Sequence, residues 1–503
     1  MRQRLLRLQF IRKGRRRAGI LAIMGTCRIR KYARFVWNTS LSSEGDEEPM
    51  DPLRQDEFDS QACGSVAPKA KPCPRPKPGE AAGGCSFDGA QITLLPIMDA
   101  AHLVHGPIAC AGNSWESRGA LSSGPSLSQY GFATDLTDSD IIFGGEKKLK
   151  DSIDYIAGRF APPAIFVYST CVTALIGEDM DAVCKEAADR IGIPVIPVNS
   201  PGFVGSKNLG NRLAGDALLQ YVIGTGEPEP ETDLGVNLIG EYNIAGEMWD
   251  IEKLMNSAGI AVTSRITGDA RYKEITWAHR ARVNMVVCSR ALLGLAKEME
   301  SRYGIPYFEG SFYGAKETTY SLRQMAYLMN DREMERRVDR LTEREEARLS
   351  QELRPYRKLL RGKRAVLYTG GVKSWSVISA LKELGVQVVG VGTNKSTEDD
   401  VRRIADRVGD DTEYIPEGGA SRIIKTVRER KADIMIAGGR NMYVAMKEQI
   451  PFIDINQERH KAYAGYEGLL RLAKELTYSL ANPIWKLAAS PAPWDKEAPP
   501  YDR

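Results

Sequence analysis

The feature that most constrains the fold is a repeated alternation of short apolar segments with stretches of helical periodicity. Each apolar segment leads into a glycine-rich or polar loop, and a helix is predicted after that loop. Strands that are apolar along their whole length are buried on both faces, as in parallel sheets covered by helices. The clearest such segments are PAIFVYS (163–169), IPVIPVN (193–199), GVNLIG (235–240), RVNMVV (282–287), RAVLYT (364–369), VQVVGVG (386–392) and ADIMIAG (432–438). The alternation therefore predicts an α/β protein made of several Rossmann-like, doubly wound parallel-sheet units.

The 503 residues are enough for about three such units after an N-terminal leader. The end of the leader, VAPKAKPCPRPKPGEAAGG, is rich in proline, lysine and glycine, so it cannot bury enough apolar surface to order itself. The charged stretch 330–358 is predicted to be a linking helix whose charges form a solvated face. The predicted organisation is a disordered basic leader (1–84), a first α/β unit (85–232), a second that ends in the linking helix (233–358), and a third with C-terminal helices (359–503).

The positive charge of the chain is concentrated at its beginning. The first forty residues contain no acidic residue, and residues 1–49 carry twelve Lys or Arg against four Asp or Glu. This surplus of eight, set against a total net charge of +4, leaves the remaining chain at about −4, which argues against a nucleic-acid surface. The basic segment has three interpretations: an organelle transit peptide, an arm that binds a polyanion, or upstream sequence before a true start at Met50. We favour the last.

The cellular setting follows from what the sequence lacks. No apolar run approaches the roughly 18–20 residues that cross a bilayer, so no membrane span is predicted. The chain has eight scattered cysteines and no secretory signal. These features predict a cytoplasmic protein whose thiols are free or bind metal rather than forming disulfides.

Several cysteines fall where ligands bind in parallel sheets, at the carboxyl ends of strands. Cys171 follows the segment 163–169, Cys110 follows a Gly-Pro turn, and Cys85 lies in a glycine-rich loop. Thiolates are the ligands of iron–sulfur clusters, and a cubane cluster takes four, so these three would leave one for a partner. The alternative is that each is a small buried hydrophobe, as most free cysteines are.

Cys288 and the loop that contains Lys373 each have more than one interpretation. Cys288 ends the strand RVNMVV beside Arg290, so it could bind metal, act as a nucleophile of low pKa, or fill the core. Cys184 lies on a predicted amphipathic helix and is expected in the core. The loop GGVKSWS, which contains Lys373, could hold an anion at a helix N-terminus or be a simple turn. There is no Walker A loop and no H-x-x-x-H pair, which argues against a P-loop enzyme or a conventional zinc hydrolase.

Longer segments of the chain resemble the α-type subunits of nitrogenase and their relatives. The resemblance covers about residues 50–475, and CSFDGAQITLLPIMDAAHLVHGPIACAGNSW and FYGAKETTYSLRQMA are typical of the cofactor-assembly members. The other matching segments are HGPIACAGNSWESRG, DIIFGGEKKL, STCVTALIGEDMDAVC, LIGEYNIAGEMWDIEKLM and VNMVVCSRAL. The resemblance implies three α/β domains around a cofactor cleft, and pairing with a NifN-like subunit in an α2β2 heterotetramer.

The resemblance also implies two metal sites. Cys85, Cys110 and Cys171 match the ligands of a [4Fe–4S] cluster at the subunit interface, whose fourth thiolate comes from the partner. Cys288 matches the cysteine that holds the terminal iron of the cofactor or of its iron–sulfur precursor. Cys110 therefore stands alone in its loop because its expected co-ligands come from distant loops and from another chain.

The sequence departs from dinitrogenase at the cofactor. Asn456 stands where dinitrogenase has a histidine on molybdenum, and an amide is a poor substitute for imidazole as a metal ligand. Lys207 and Asn211 stand where dinitrogenase has a glutamine and a histidine over the reactive face, so a side chain suited to proton transfer is missing. Lys207, Lys373 and Arg118 are expected instead to attract an anionic cluster or homocitrate.

These features predict a scaffold rather than an enzyme. With its partner, the chain would hold an iron–sulfur precursor on which molybdenum and homocitrate are installed transiently, with help from the nitrogenase iron protein. Cluster donor and cofactor carrier proteins would serve it, and apo-dinitrogenase would receive the product. One alternative is the catalytic α subunit of a nitrogenase or of a protochlorophyllide-reductase-like enzyme. Another is an electron-transfer iron–sulfur protein, for which Cys288 would be dispensable.

Overall fold

The computed structural model describes residues 84–490 except 118–119, 231, 288, 370–372, 395, 417–418, 457 and 489. The predicted leader, apart from its last residue, lies outside the described residues. Two predicted site residues, Arg118 and Cys288, also lie outside them.

Strands and helices alternate along the described chain. The strands are β1 (Ala101–His105), β2 (Phe132–Ala133), β3 (Ile165–Ser169), β4 (Val195–Val198), β5 (Val236–Ile239), β6 (Val262–Ile266), β7 (Val283–Val286), β8 (Tyr307–Glu309), β9 (Arg364–Tyr368), β10 (Gln387–Gly392), β11 (Glu413–Ile415), β12 (Ile434–Ala437) and β13 (Phe452–Asp454). The first helices are α1 (Ser86–Leu94), α2 (Ile108–Ser117), α3 (Asp138–Phe143), α4 (Glu146–Phe160), α5 (Cys171–Ile176), α6 (Met180–Ile191), α7 (Lys207–Tyr221), α8 (Glu247–Ala258), α9 (Tyr272–Thr276) and α10 (Ser289–Tyr303). The later helices are α11 (Ala315–Leu328), α12 (Arg332–Glu352), α13 (Arg354–Leu360), α14 (Ser374–Glu383), α15 (Glu398–Ala405), α16 (Ala420–Glu429), α17 (Met442–Lys447), α18 (Gly465–Ala481) and α19 (Ile484–Ala488).

The strands form three parallel sheets, as the alternation predicts. Their orders are β2-β1-β3-β4, β6-β5-β7-β8 and β11-β10-β9-β12-β13. Each of the three predicted unit ranges contains one sheet, and all seven strands predicted from apolar segments are present. The predicted α/β class is therefore confirmed, while the exact unit boundaries stay a prediction.

The predicted linking helix is two helices, α12 and α13, because Pro355 falls in the first turn of the second. Apolar and small side chains of α12 are buried along one face, and its charged residues cover the rest. These buried residues are Met334, Val338, Leu341, Thr342 and Leu349. Helix α12 packs against α8, α11 and α18, so the prediction of a solvated charged face is confirmed and the helix also joins parts of the core. Among the described helices, none is long and apolar enough to cross a membrane.

A histidine is buried in the first sheet. His102 on β1 lies beside Phe166 on β3, with ring centroids 5.4 Å apart and nearly parallel. Its Nδ1 is 2.8 Å from the Tyr168 hydroxyl, and its Nε2 is 3.0 Å from the Ile97 carbonyl oxygen. Burial lowers the pKa of His102 to about 4, against the opposing effect of the carbonyl. The ring is therefore neutral in the folded protein at pH 7.

We expect His102 to make the fold sensitive to acid. Between pH 6.5 and pH 4 the unfolded chain binds a proton that the folded chain does not, so stability rises with pH across this window. A shift of this size corresponds to about 3 kcal/mol lost on going from pH 7 to pH 4. Urea unfolding of His102→Gln, which cannot charge, should show a shallower pH dependence than the wild type. The exposed His460 provides the matched control, His460→Gln. Parallel pH curves for wild type and His102→Gln would contradict this expectation.

Candidate functional site

Cys171 is placed by the end of β3. The strand ends at Ser169, and Thr170 caps α5 in a capping box with Thr173, so Cys171 is the first residue of the helix. The Thr170 hydroxyl also donates to the carbonyl oxygen of His105, 3.0 Å away, at the end of the neighbouring strand β1. This bond joins the loop that carries Cys171 to the loop that carries Cys110.

Cys110 lies in the first turn of α2, after β1 and the Gly106-Pro107 turn. Its N–H donates to the Pro107 carbonyl oxygen at 3.1 Å. Gly106 is required here because an added Cβ would lie 2.2 Å from the Thr170 hydroxyl oxygen. The two loops can therefore approach each other only with glycine at this position.

A buried hydrogen-bonded pair, His105 and Glu178, supports the same two loops. His105 Nε2 is 2.5 Å from Glu178 Oε2, and His105 Nδ1 is 3.1 Å from the Thr134 hydroxyl. The other Glu178 oxygen accepts the N–H of Gly145. Burial lowers the pKa of His105 and outweighs the attraction of the Glu178 carboxylate, so we take the imidazole as neutral at pH 7. The pair fixes the end of β1, five residues before Cys110.

Cys85 is positioned by the residues just before α7. It precedes α1 as the N-cap residue and forms an isolated antiparallel bridge with Ser206. The Ser86 N–H donates to the Gly205 carbonyl at 3.0 Å, and the Lys207 N–H donates to the Gly84 carbonyl at 2.8 Å. Sequence reasoning expected Cys85 near a strand end. This was wrong, because its loop precedes a helix and is ordered by pairing with the loop before α7.

Helices α1 and α7 cross with their backbones in contact. An added Cβ on Gly89 would lie 1.9 Å from the Lys207 carbonyl oxygen, and one on Gly210 would lie 1.8 Å from the Ser86 carbonyl oxygen. Glycine at both positions removes the side chains that would separate the helices. The crossing therefore sets the position of Cys85 relative to the loop before α7.

The structure brings the three predicted thiols together. An added Cβ on Gly202 would lie 3.0 Å from Cys85 Sγ and 3.1 Å from Cys171 Sγ. Burial raises the pKa of the Cys110 thiol, and the neighbouring thiols of Cys171 and Cys85 raise it further. The three sulfurs thus share one environment, and Gly202 leaves space beside two of them.

Three thiols are the donor type that iron–sulfur clusters use. Among residues 84–490 that are described, no three His, Cys, Asp or Glu side chains are arranged to hold a single metal ion. A cubane cluster binds each thiolate on a different iron, so its ligands need not converge on one point. Cys85 is exposed and Cys110 and Cys171 are half-buried, which leaves the group accessible from outside the chain. Cys184 is fully buried on α6, as predicted, and its burial raises its pKa.

Large apolar side chains are exposed on the segments that carry the thiols. Ile108 lies two residues before Cys110, Leu175 lies four residues after Cys171, and Phe203 follows Gly202. Each exposes two-fifths or more of its surface: Ile108 40%, Leu175 62%, Phe203 57% and Val204 44%. A group of exposed apolar residues is typical of a surface that contacts another molecule.

The predicted cleft residues fall into two groups. Lys207 is half-buried in the first turn of α7, close to the thiols. Asn211, one turn later, is buried, and its side-chain oxygen accepts the Thr93 hydroxyl of α1 at 3.2 Å. The Asn211 side chain therefore lies in the contact between α1 and α7, where it binds Thr93.

Lys373 and Asn456 lie at the carboxyl ends of strands of the third sheet. Lys373 Nζ is 3.8 Å from Glu241 Oε2, which follows β5 of the second sheet, and 5.7 Å from the centre of the Tyr313 ring. Asn456 is exposed and packs on Gly438, where an added Cβ would lie 3.3 Å from the amide. The ends of the second and third sheets thus meet at these residues.

Sequence reasoning missed a buried ion pair in the same place. Arg459 Nε donates to Glu247 Oε1 at 2.6 Å, and Arg459 Nη1 donates to the Asn456 carbonyl oxygen at 2.6 Å. Both charged side chains are almost completely buried. Glu247 follows the predicted strand 235–240, but Arg459 follows a strand that was not predicted, and nothing in the sequence indicates that the two residues pair.

Three parallel sheets flanked by helices, with three thiols on neighbouring loops, place the chain among the α/β proteins that have a candidate metal site. The sequence model of the family described as "Nitrogenase component 1 type Oxidoreductase" matches residues 85–481. Two solved structures, "Nitrogenase Cp1 at pH 5" and "Nitrogenase Cp1 at pH 6.5", superpose with TM-scores of 0.75 and 0.76 and are 30% and 28% identical. Each superposition covers 87% of this chain, and 99% and 100% of the respective nitrogenase chains.

Other relatives share more of the sequence. The nitrogenase iron-molybdenum cofactor biosynthesis protein NifE of Nostoc sp. (strain PCC 7120) is 58% identical, over 84% of this chain and 88% of its own. The protein of the same name from Klebsiella pneumoniae is 50% identical, over 87% of this chain and 98% of its own. The chain therefore belongs to the nitrogenase component 1 type oxidoreductase family, in its NifE branch, and the resemblance stated from the sequence is confirmed.

Proposed function

We propose that this chain is a scaffold subunit for the biosynthesis of the nitrogenase iron–molybdenum cofactor. The observation that carries the proposal is the sequence identity of 48–58% to proteins named for this role, each over more than four-fifths of the chain. The three thiols beside a cleft support it, because a scaffold for metal clusters needs soft ligands on a rigid framework. The chain works in the cytoplasm, where thiols stay reduced.

Cys85, Cys110 and Cys171 hold a [4Fe–4S] cluster in this proposal. The donor set fits, since all three are thiols on separate loops and Gly202 leaves room beside two of the sulfurs. When bound, the cluster would supply electron transfer. The chain supplies three ligands and orients them through the bond from Thr170 to His105 and the pairing of Cys85 with Ser206. A fourth thiolate comes from the partner.

The partner is a NifN-like subunit, and together they form an α2β2 heterotetramer. The exposed apolar side chains near the thiols support a protein partner on this face. A cluster shared by two chains would be covered by both, which protects it from water and oxidants. The partner must therefore match an apolar surface and place one cysteine at its centre.

The cargo of the scaffold lies in the cleft. Cys288 is proposed as its one covalent attachment, and Arg118, Lys207 and Lys373 supply positive charge for an anionic precursor or homocitrate. Asn456 offers an amide in place of a metal-binding imidazole, so the precursor is held at one end and can be released. Molybdenum and homocitrate are substrates here, installed with the nitrogenase iron protein. Cluster donor and cofactor carrier proteins deliver and remove cargo for apo-dinitrogenase.

The absence of a histidine at positions 207 and 211 also favours a scaffold over a reductase. Neither Lys207 nor Asn211 is suited to transferring protons near neutral pH, as imidazole is. A catalytic nitrogenase subunit would require such a group over its reactive face. Acetylene reduction by the purified complex at nitrogenase-like rates would favour the reductase alternative instead.

The test is the iron content of the complex purified anaerobically with its NifN-like partner. Cys110→Ala should lose the iron of one cubane, because a ligand of the interface cluster is removed. Cys288→Ala should keep that iron and lose a separate block. Cys184→Ala is the matched control, since Cys184 is buried in the core, and its iron content should equal that of the wild type. Unchanged iron in Cys288→Ala would favour the electron-transfer alternative.

A further inference from the structure

Two buried hydrogen-bond donors, where the ends of the second and third sheets meet, have no acceptor among the described residues. They are the hydroxyl of Tyr313 and Nη2 of Arg459. The Tyr313 residue and the Arg459 side chain are each only 3% exposed. Leaving such groups unpaired is costly, and native proteins do so rarely. Two such donors in one place indicate an acceptor that is not part of this chain.

The two donors lie close to each other and to a third. The charges of Arg459 and Lys373 both act on the Tyr313 hydroxyl, and Lys373 Nζ lies 5.7 Å from the centre of the Tyr313 ring. Burial raises the pKa of Tyr313, so its hydroxyl keeps its proton and can donate. These residues follow three strands, β8, β9 and β13, at the carboxyl ends where α/β proteins bind ligands.

The two carboxylates nearby are already engaged. Glu247 Oε1 accepts from Arg459 Nε, and Glu247 Oε2 accepts the Ala245 N–H at 3.0 Å. Glu241 Oε1 accepts the N–H groups of Tyr242 and Asn243, each at 3.0 Å. The charges of Arg459 and Lys373 balance those of Glu247 and Glu241, but the hydrogen-bond donors outnumber the acceptors. An oxygen atom with lone pairs would complete the site, and a carboxylate oxygen is the acceptor to which such donors bind most strongly.

We propose that Tyr313, Arg459 and Lys373 form a subsite for one carboxylate group of an organic acid. The Tyr313 hydroxyl and Arg459 Nη2 donate to its oxygens, and the Lys373 ammonium adds a positive charge at the mouth of the subsite. The need for an oxygen acceptor follows from the two buried donors that lack a partner. Its assignment to an organic acid rests on the proposed function, in which such an acid enters this cleft with the heterometal.

The subsite also gives Arg459 a positioning role. The guanidinium uses Nη1 to hold the carbonyl oxygen of Asn456, Nε to hold Glu247, and Nη2 for the ligand. A bound carboxylate would thus contact the group that fixes the Asn456 loop. Binding of the acid and the conformation of this loop are coupled through one side chain.

Citrate provides a probe, used with the complex of the full chain and its partner. Citrate should raise the thermal unfolding temperature and bind measurably by calorimetry, whereas chloride at equal ionic strength should not. Tyr313→Phe should weaken citrate binding about tenfold, because one hydrogen bond to a charged acceptor is lost. Without citrate its unfolding temperature should equal or exceed that of the wild type, because an unpaired buried hydroxyl has been removed.

Tyr466→Phe is the matched control. Tyr466 is buried to the same degree, but its hydroxyl is 2.8 Å from the Thr319 hydroxyl. This variant should be less stable than the wild type and bind citrate with unchanged affinity. Equal citrate affinity in wild type and Tyr313→Phe, or no binding to the wild type, would overturn the subsite. Sulfate binding as tightly as citrate, with the same dependence on Tyr313, would overturn the carboxylate assignment. The citrate and sulfate measurements do not depend on iron content. The iron measurements test the proposed function separately, so failure of one proposal can be told from failure of the other.

Discussion

Gly210→Ala should destabilise the chain by about 3 kcal/mol or more, and much of the protein should be recovered unfolded. An alanine Cβ at this position would lie 1.8 Å from the Ser86 carbonyl oxygen and 2.8 Å from the Ala90 nitrogen. Both atoms belong to the backbone of α1, so no side-chain rotation relieves the overlap. The helices must separate, which also displaces Cys85 at the start of α1. Folded protein that remains should therefore hold less iron.

Gly158→Ala is the matched control for this substitution. Gly158 lies on the exposed face of α4, and an added Cβ there meets no atom within 4 Å. Alanine at an open helical position should raise the free energy of unfolding by about 0.5–1 kcal/mol. Urea unfolding of the two variants and the wild type gives the comparison. Equal stability of Gly210→Ala and Gly158→Ala would show that α1 and α7 are not in backbone contact in solution.

Glu247→Gln should cost about 3–5 kcal/mol, because it leaves the Arg459 guanidinium buried without its opposite charge. The two groups are 2.6 Å apart. Burial alone would raise the pKa of Glu247, but the Arg459 charge outweighs it and holds the pKa below its usual value. The stabilisation is thus complete above the unfolded pKa of about 4.3 and is lost as pH falls through the lower pKa of the folded state.

Two controls separate the burial of the pair from its charge. Glu227 accepts two hydrogen bonds from Arg280 at 2.7 and 3.0 Å, but this pair is exposed. Glu227→Gln should therefore change stability little. The double variant Glu247→Leu with Arg459→Met should recover most of the loss, since apolar residues can replace a buried pair. A large loss in Glu227→Gln, or no recovery in the double variant, would contradict this account of the pair.

The sequence predicted the central strands well, because their burial on both faces makes them apolar throughout. Two kinds of strand account for most of those that it missed. Strand β1 (AHLVH) carries two histidines, and each is satisfied by tertiary partners such as Glu178 that no local pattern reveals. Edge strands such as β2, β11 and β13 have only two or three residues, too few to show a periodicity.

The candidate site divides in the same way. The three thiols could be found because cysteine is rare and its chemistry is specific, and the family resemblance supplied their grouping. The Arg459–Glu247 pair could not be found, because its members are 212 residues apart and charged residues are common everywhere in the chain. Tyr313 was missed since a tyrosine in a glycine-rich loop has no distinctive pattern. Its importance depends on a hydroxyl whose lack of a partner is visible only in three dimensions.

The placement of the thiols has a consequence for when the protein can take up metal. Cys85 reaches its neighbours only after the chain has closed contacts such as that from the Ser86 hydroxyl to the Pro201 carbonyl, 115 residues apart. A partly synthesised or misfolded chain presents these cysteines separately, and a cubane cannot be held by one. In the proposed function, cluster capture would therefore act as a checkpoint on folding. Only chains whose first α/β unit is complete would retain iron, so incomplete chains would not withdraw clusters from those available for cofactor assembly.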